Sequence, residues 1–194
     1  MLVCKLDQRS RILTWIRTTL AITVLVFSIP VAHAADGTGS GYEAGISYER
    51  AVQHFPGLVR EELFLRIPFS WRHDISQDYT LRSYLVVAVG DMGRDGHDPT
   101  IISVGGQLRL DPRSPDGRVY YLLGFSPTLL TNTTFGNESL GTSLEFTTQL
   151  AVGVYLGETR RAAVELSLQH TSNGGMGSHN PGVNTLGIAT VYRF

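Results

Sequence analysis

The chain of 194 residues contains one cysteine and one lysine. The lone Cys4 excludes a disulfide-stapled domain. Lys+Arg number 16 against 17 Asp+Glu, so there is no basic excess to neutralise phosphates and nothing suggests nucleic-acid binding. Charged residues are only 17% of the chain while hydrophobic residues are 42%, a balance that argues against disorder. Beyond Ala35 there is no apolar run of the ~20 residues that a membrane-spanning helix requires. Periodicity of 3.6 does not persist there for the length of a helix either. Length alone allows one to two domains.

What is present begins with an export leader, residues 1–34. Lys5, Arg9, Arg11 and Arg17 form a basic n-region, Leu20 to Val31 an apolar stretch, and Ala32-His33-Ala34 a small-x-small cleavage site before Ala35. The apolar stretch is short for a membrane anchor. Cys4 lies upstream of it, so it is no lipoprotein acceptor and leaves with the leader. The leader holds four of the 16 Lys/Arg and one of the 17 Asp/Glu, which leaves residues 35–194 with 12 basic and 16 acidic groups, a net −4. All 21 Gly remain, and neither Lys nor Cys does.

Residues 35–194 read as one domain of eight alternating strands, near 41–50, 58–71, 80–91, 100–111, 119–130, 143–156, 162–172 and 184–194, separated by Gly, Pro, Asp and Asn clusters. Leu63, Leu65, Ile67, Phe69 and Trp71 share one face of the second strand, opposite Glu62, Arg66 and Ser70. Ile102, Val104, Leu108 and Leu110 similarly oppose Ser103, Gln107 and Arg109 in the fourth. A soluble barrel would turn the apolar face inward; a transmembrane barrel turns it outward against lipid. Strand length, aromatics assigned to strand ends (Tyr42, Tyr48, Trp71, Phe125, Tyr192), charges on the polar parity (Glu62, Arg66, Arg82, Arg109, Glu145, Glu165) and a terminal Phe194 all favour the second. That terminus resembles the assembly signal of bacterial outer-membrane proteins. The expected fold is therefore an all-β, eight-stranded antiparallel transmembrane barrel. Its short turns, 72–79, 112–118 and 157–161, face the periplasm with both termini, and its outer loops are 51–57, 92–99, 131–142 and 173–183.

The last hairpin carries chemistry. By period two, His170 and Ser172 continue the apolar face of Val164, Leu166 and Leu168, with α-carbons roughly 7 Å apart. That spacing permits a hydrogen bond between hydroxyl and imidazole, the pair that activates a serine nucleophile. The bland alternative is two polar groups tolerated at headgroup level. His170-Thr171-Ser172-Asn173-Gly174-Gly175, then Asn180-Pro181-Gly182-Val183-Asn184, then a strand ending in Phe, resembles the PagL family of lipid A 3-O-deacylases. Arg109, Tyr120-Tyr121-Leu122-Leu123-Gly124 and Leu140-Gly141-Thr142 with Phe146 extend the resemblance over the mature chain.

The resemblance implies a Ser nucleophile, a His base and an acid that orients the His, without metal or cofactor. Ser172 and His170 take the first two roles. The acid's position, twelve after the Ser, holds Asn184, whose amide orients the imidazole but adds no charge. Its parity with Leu186 and Ile188 turns it to the same outer face. Asn173, Gly174, Gly175 and Asn180 are the oxyanion and substrate candidates, with Asn180 supported by the resemblance. Glu165 has the wrong parity to replace Asn184. The implied substrate and partner is lipid A, or lipopolysaccharide, in the outer leaflet of the outer membrane. The oligomeric state stays open, a homodimer being one option. Rival readings are a non-catalytic outer-membrane barrel with a structural or lipid-binding role, and a secreted soluble barrel. His97 among Asp91, Arg94, Asp95 and Asp98 reads as a solvated loop rather than a divalent-ion site, and His170 with His179 lacks a third ligand at useful spacing.

Overall fold

The computed structural model describes residues 41–53, 55–94, 98–135 and 137–194. Residues 1–34, expected above to be an export leader, and Asp95 and His97 of the loop just mentioned lie outside the described residues. Eight long strands form: β1 (Glu43–Gln53), β2 (Val59–Asp74), β3 (Tyr79–Gly93), β4 (Thr100–Pro112), β5 (Val119–Leu130), β8 (Leu144–Leu156), β9 (Ala162–Ser172) and β10 (Val183–Arg193). Two short strands, β6 (Thr134–Phe135) and β7 (Glu138–Ser139), make a small hairpin in the loop after β5. Every long strand is antiparallel to both neighbours, and β1 pairs with β10 to close the barrel.

All eight expected strands are present, with corrections at their ends. The first runs on to Gln53, so the loop after it is shorter than 51–57. The second continues past Trp71 to Asp74, because an irregularity between Pro68 and Arg72 lets the ladder resume beyond the proline. The turn after it narrows to 75–78, where the Ser76 hydroxyl accepts from the amides of Asp78 and Tyr79 at 3.1 and 3.2 Å. Of the aromatics assigned to strand ends, Tyr48 and Phe125 sit mid-strand; all five face outward.

The parity reading survives closure. Leu123, Phe125, Leu150, Leu166 and Ile188 project outward, each roughly half exposed or more (49–57%), as on a wall that meets lipid. Glu62, Arg66, Arg109, Glu145 and Glu165 turn inward and are buried, and Glu43, Glu49, Arg60 and Asp111 join them. Charges withdrawn from water must find partners. Arg66 grips Glu165 with two bonds of 2.6 and 2.8 Å. Glu43 accepts from Arg109 at 2.6 Å and from Arg193 at 2.8 Å. Tyr120 and Tyr155 donate to Glu165 and Asp111, each at 2.6 Å. The Tyr120 ring fits because residue 153 is glycine: a Cβ there would lie 2.0 Å from Tyr120 Cζ.

The end of the barrel that carries loops 54–58, 94–99, 131–143 and 173–182 is filled differently. Phe55, Leu58, Met92, Ile101, Leu130, Phe135, Leu140 and Val183 form an apolar cluster, with the Phe55 and Phe135 rings edge-on at 5.9 Å. The short β6–β7 hairpin supplies Phe135 to it. This cap fixes the loops that surround the candidate site.

Removing one partner of a buried ion pair leaves a charge uncompensated, at a cost of about 3–5 kcal/mol. Arg66→Leu strands Glu165 in this way. The barrel should then lose its compact, fast-migrating form at a clearly lower temperature than the parent on unboiled gels, whereas Arg66→Leu combined with Glu165→Leu should recover much of the loss.

Candidate active site

Strand pairing builds the site. In the β9–β10 ladder His170 stands opposite Asn184. In the β8–β9 ladder Thr148 stands opposite His170 and Phe146 opposite Ser172. All of these outward positions lie at the loop-bearing end of the barrel. His170 is exposed, while Ser172 and Asn184 are half-buried. The His170 Nδ1 lies 2.8 Å from Asn184 Oδ1. A carbonyl oxygen only accepts, so this contact calls for a proton on Nδ1, which in the neutral ring leaves the lone pair on Nε2.

The Ser172 hydroxyl makes no hydrogen bond among the described residues, so the serine–histidine bond that the spacing permits is not formed in this conformation. The two side chains nevertheless border one spot. A Cβ added to Gly182 would lie 2.9 Å from His170 Cε1 and 3.6 Å from both His170 Nε2 and Ser172 Cβ. Gly182 also has φ +60°, which disfavours any side chain there. Glycine at 182 thus leaves open the space beside the His170 ring and the Ser172 side chain. The motif included this residue, but no role for it was legible in the sequence.

The candidate oxyanion residues divide into two groups. Asn173 is fully buried, and its side chain is committed to holding the loop. Its Nδ2 donates to the carbonyls of Leu140 (3.2 Å) and His179 (2.8 Å), and its Oδ1 accepts from the Gly175 amide at 2.9 Å. The Asn173 amide donates to Asn180 Oδ1 at 3.1 Å. The Asn180 Nδ2 and the Gly174 amide have no partner among the described residues, and both residues are exposed. Gly174 and Gly175 have φ of +62° and +83°, which turn the chain tightly just after Ser172. Glu165, as its parity requires, lies inside the barrel on Arg66 and does not approach His170.

The family profile of lipid A 3-O-deacylase, PagL, matches residues 61–193. The chain belongs to the PagL family. The match spans β2 to β10 and includes all three members of the polar trio. The crystal structure of the outer membrane enzyme PagL superposes with a TM-score of 0.67 at 15% identity, over 78% of this chain and 99% of that one. At that identity the likeness establishes the fold. The backbone structure of the Yersinia pestis outer membrane protein Ail aligns at a TM-score of 0.42 and 14% identity, over 80% of this chain and 100% of that one. No curated protein matches the chain.

Within this PagL-family barrel two residues that the sequence did not place beside His170, Ser172 and Asn184 prove to be their neighbours. Phe146, beside Ser172, stacks on Phe125 with centroids 5.8 Å apart, giving the serine an aromatic flank. Gln53, at the end of β1, accepts a hydrogen bond from Asn184 Nδ2 at 3.2 Å. By strict alternation Gln53 shares the parity of Glu43, Ser47 and Glu49, all buried in the barrel. A register shift between Ala51 and Gln53 reverses that parity and turns Gln53 outward, opposite Asn184.

Asn173→Ala would leave two carbonyls and one amide of the loop unpaired, each a loss of about 1–3 kcal/mol if it stays buried. Limited proteolysis of the folded protein should then cut within 173–182 at least tenfold faster than in the parent, with the barrel itself remaining intact.

Proposed function

We propose that this chain is an outer-membrane serine esterase that hydrolyses the ester of the 3-O-linked acyl chain of lipid A. The observation that carries the reading is the 2.8 Å bond from His170 to Asn184, next to Ser172, on the outer wall of the barrel. Leu166, Leu168, Leu186 and Ile188 make that wall apolar on the strands below the trio. A polar, reactive cluster at the upper rim of a lipid-facing surface matches the height of the ester linkages of an outer-leaflet lipid. Enzyme sites are usually concave, but an enzyme whose substrate is the surrounding membrane has no need to enclose it.

In this reading residues 1–34 direct export and are removed, and the four longer loops face the cell exterior. Ser172 Oγ attacks the ester carbonyl as His170 Nε2 takes its proton, forming a tetrahedral intermediate. The Gly174 amide and Asn180 Nδ2 donate to the oxyanion, for which both are free. Asn173 holds the loop that presents them. The imidazolium then protonates the departing sugar 3-oxygen, leaving the fatty acyl group on Ser172. Water, deprotonated by His170, releases the fatty acid and restores the hydroxyl. The Phe125–Phe146 stack flanks the acyl chain near the carbonyl. Asn184 keeps the ring in the required tautomer but contributes less to the imidazolium than a carboxylate would.

Lipid A from cells expressing the gene should lack one 3-O-linked acyl chain by mass spectrometry. Ser172→Ala should reduce that loss by more than about 10⁴-fold; an unchanged effect would favour the structural or lipid-binding barrel. Asn184→Glu should retain or raise activity, and a folded but inactive Asn184→Glu would remove Asn184 from the acid's place.

A further inference from the structure

We infer that Gln53 is a positioning residue for this site, selecting which end of the Asn184 amide faces His170. The inference rests on the esterase reading for its catalytic consequence, but its structural core does not depend on it.

An amide in the acid's place carries an ambiguity that a carboxylate lacks. A carboxylate offers an acceptor whichever way it turns. An amide offers its oxygen in one orientation and its NH₂ in the other. With the NH₂ toward the ring, Nδ1 must accept, the proton moves to Nε2, and the nitrogen that should receive the serine proton is blocked. The cost of such a tautomer error is known in size from the serine-protease triad, where Asp→Asn lowers kcat by about 10⁴-fold. A chain with Asn184 therefore needs a group that fixes the amide.

Gln53 does this when its own carbonyl faces Asn184, the arrangement the structure shows, and a glutamate at 53 would enforce it because a carboxylate only accepts. Asn184 Nδ2 donates to Gln53 Oε1 at 3.2 Å while Asn184 Oδ1 accepts from His170 at 2.8 Å. Each end of the Asn184 amide is thus occupied, in a chain Gln53–Asn184–His170 that crosses three strands, β1, β10 and β9. The Gln53 side chain reaches the outer wall only because of the shift in register between Ala51 and Gln53. The Phe55 amide bonds back to the Gln53 carbonyl at 2.9 Å, which steadies the backbone at that position.

The test uses the full-length barrel refolded in detergent, with compact gel migration as the control for folding. The ¹⁵N spectrum of the His170 ring should report the Nδ1–H tautomer in the parent. Gln53→Leu should give a mixture with Nε2–H, and Gln53→Glu, which can only accept, should restore Nδ1–H. Deacylation kinetics should follow: Gln53→Leu should lower kcat roughly five- to tenfold, the worth of one hydrogen bond, with KM within about twofold. In the Asn184→Glu background the loss caused by Gln53→Leu should shrink to less than about twofold. An unchanged tautomer in Gln53→Leu, or the same fold-loss in both backgrounds, would overturn the inference. If the parent proves inactive on lipid A, the esterase reading fails, and the tautomer measurement still decides the role of Gln53.

Discussion

Closure of the sheet is the constraint on which the rest of the molecule depends. In hydrocarbon there is no water to satisfy an unpaired amide or carbonyl, so a sheet that crosses a membrane must have no open edge. Here β1 bonds to β2 on one side and to β10 on the other. Once the sheet is closed, every residue is committed to one of two environments. The outward parity meets lipid and is apolar. The inward parity is turned away from lipid, and most of its charges neutralise one another. Glu43, Arg66, Arg109, Glu165 and Arg193 do so through short, shared bonds, with the Tyr120 and Tyr155 hydroxyls completing the network.

The same closure makes the outer wall a rigid surface that holds the candidate site. His170 and Asn184 meet because two antiparallel strands place them directly opposite one another, and ladder hydrogen bonds fix that pairing. The loop that follows Ser172 is held just as firmly, since Asn173 is buried within it and bonded to Leu140, His179 and Gly175. The apolar cap around Phe55, Phe135 and Leu140 anchors neighbouring loops from the far side of the chain. The loop after Ser172 thus forms a fixed frame, in which the Gly174 amide and Asn180 Nδ2 have no partner among the described residues.

Much of this was readable in the residue order. Alternation revealed the strands because a two-sided wall imposes period two on every one of them. It also revealed that His170, Ser172 and Asn184 share the outer face while Glu165 does not. Other features escaped, each for a physical reason. Gln53 carries the parity of the lumen, and a single displaced residue in β1 reverses it; nothing in Ala51-Val52-Gln53 announces that displacement. Asn173 reads as an oxyanion or substrate candidate, and its structural role follows from carbonyls supplied by residues 140 and 179. The role of Gly182 depends on what stands beside it, namely the ring of His170 and the side chain of Ser172.

The order of residues was enough to establish two faces, eight strands and a His170–Ser172 pair on the outer face, because those properties are local and repeat every second residue. Which strand closes the barrel, which arginine neutralises which carboxylate and which side chain orients Asn184 are matters of contact between segments far apart in the chain. Gln53 and Asn184 are separated by 131 positions, and only the meeting of the first and last strands makes them neighbours. Periodicity carries no information about such partners, since it is the shear and register of the closed sheet that bring them within bonding distance.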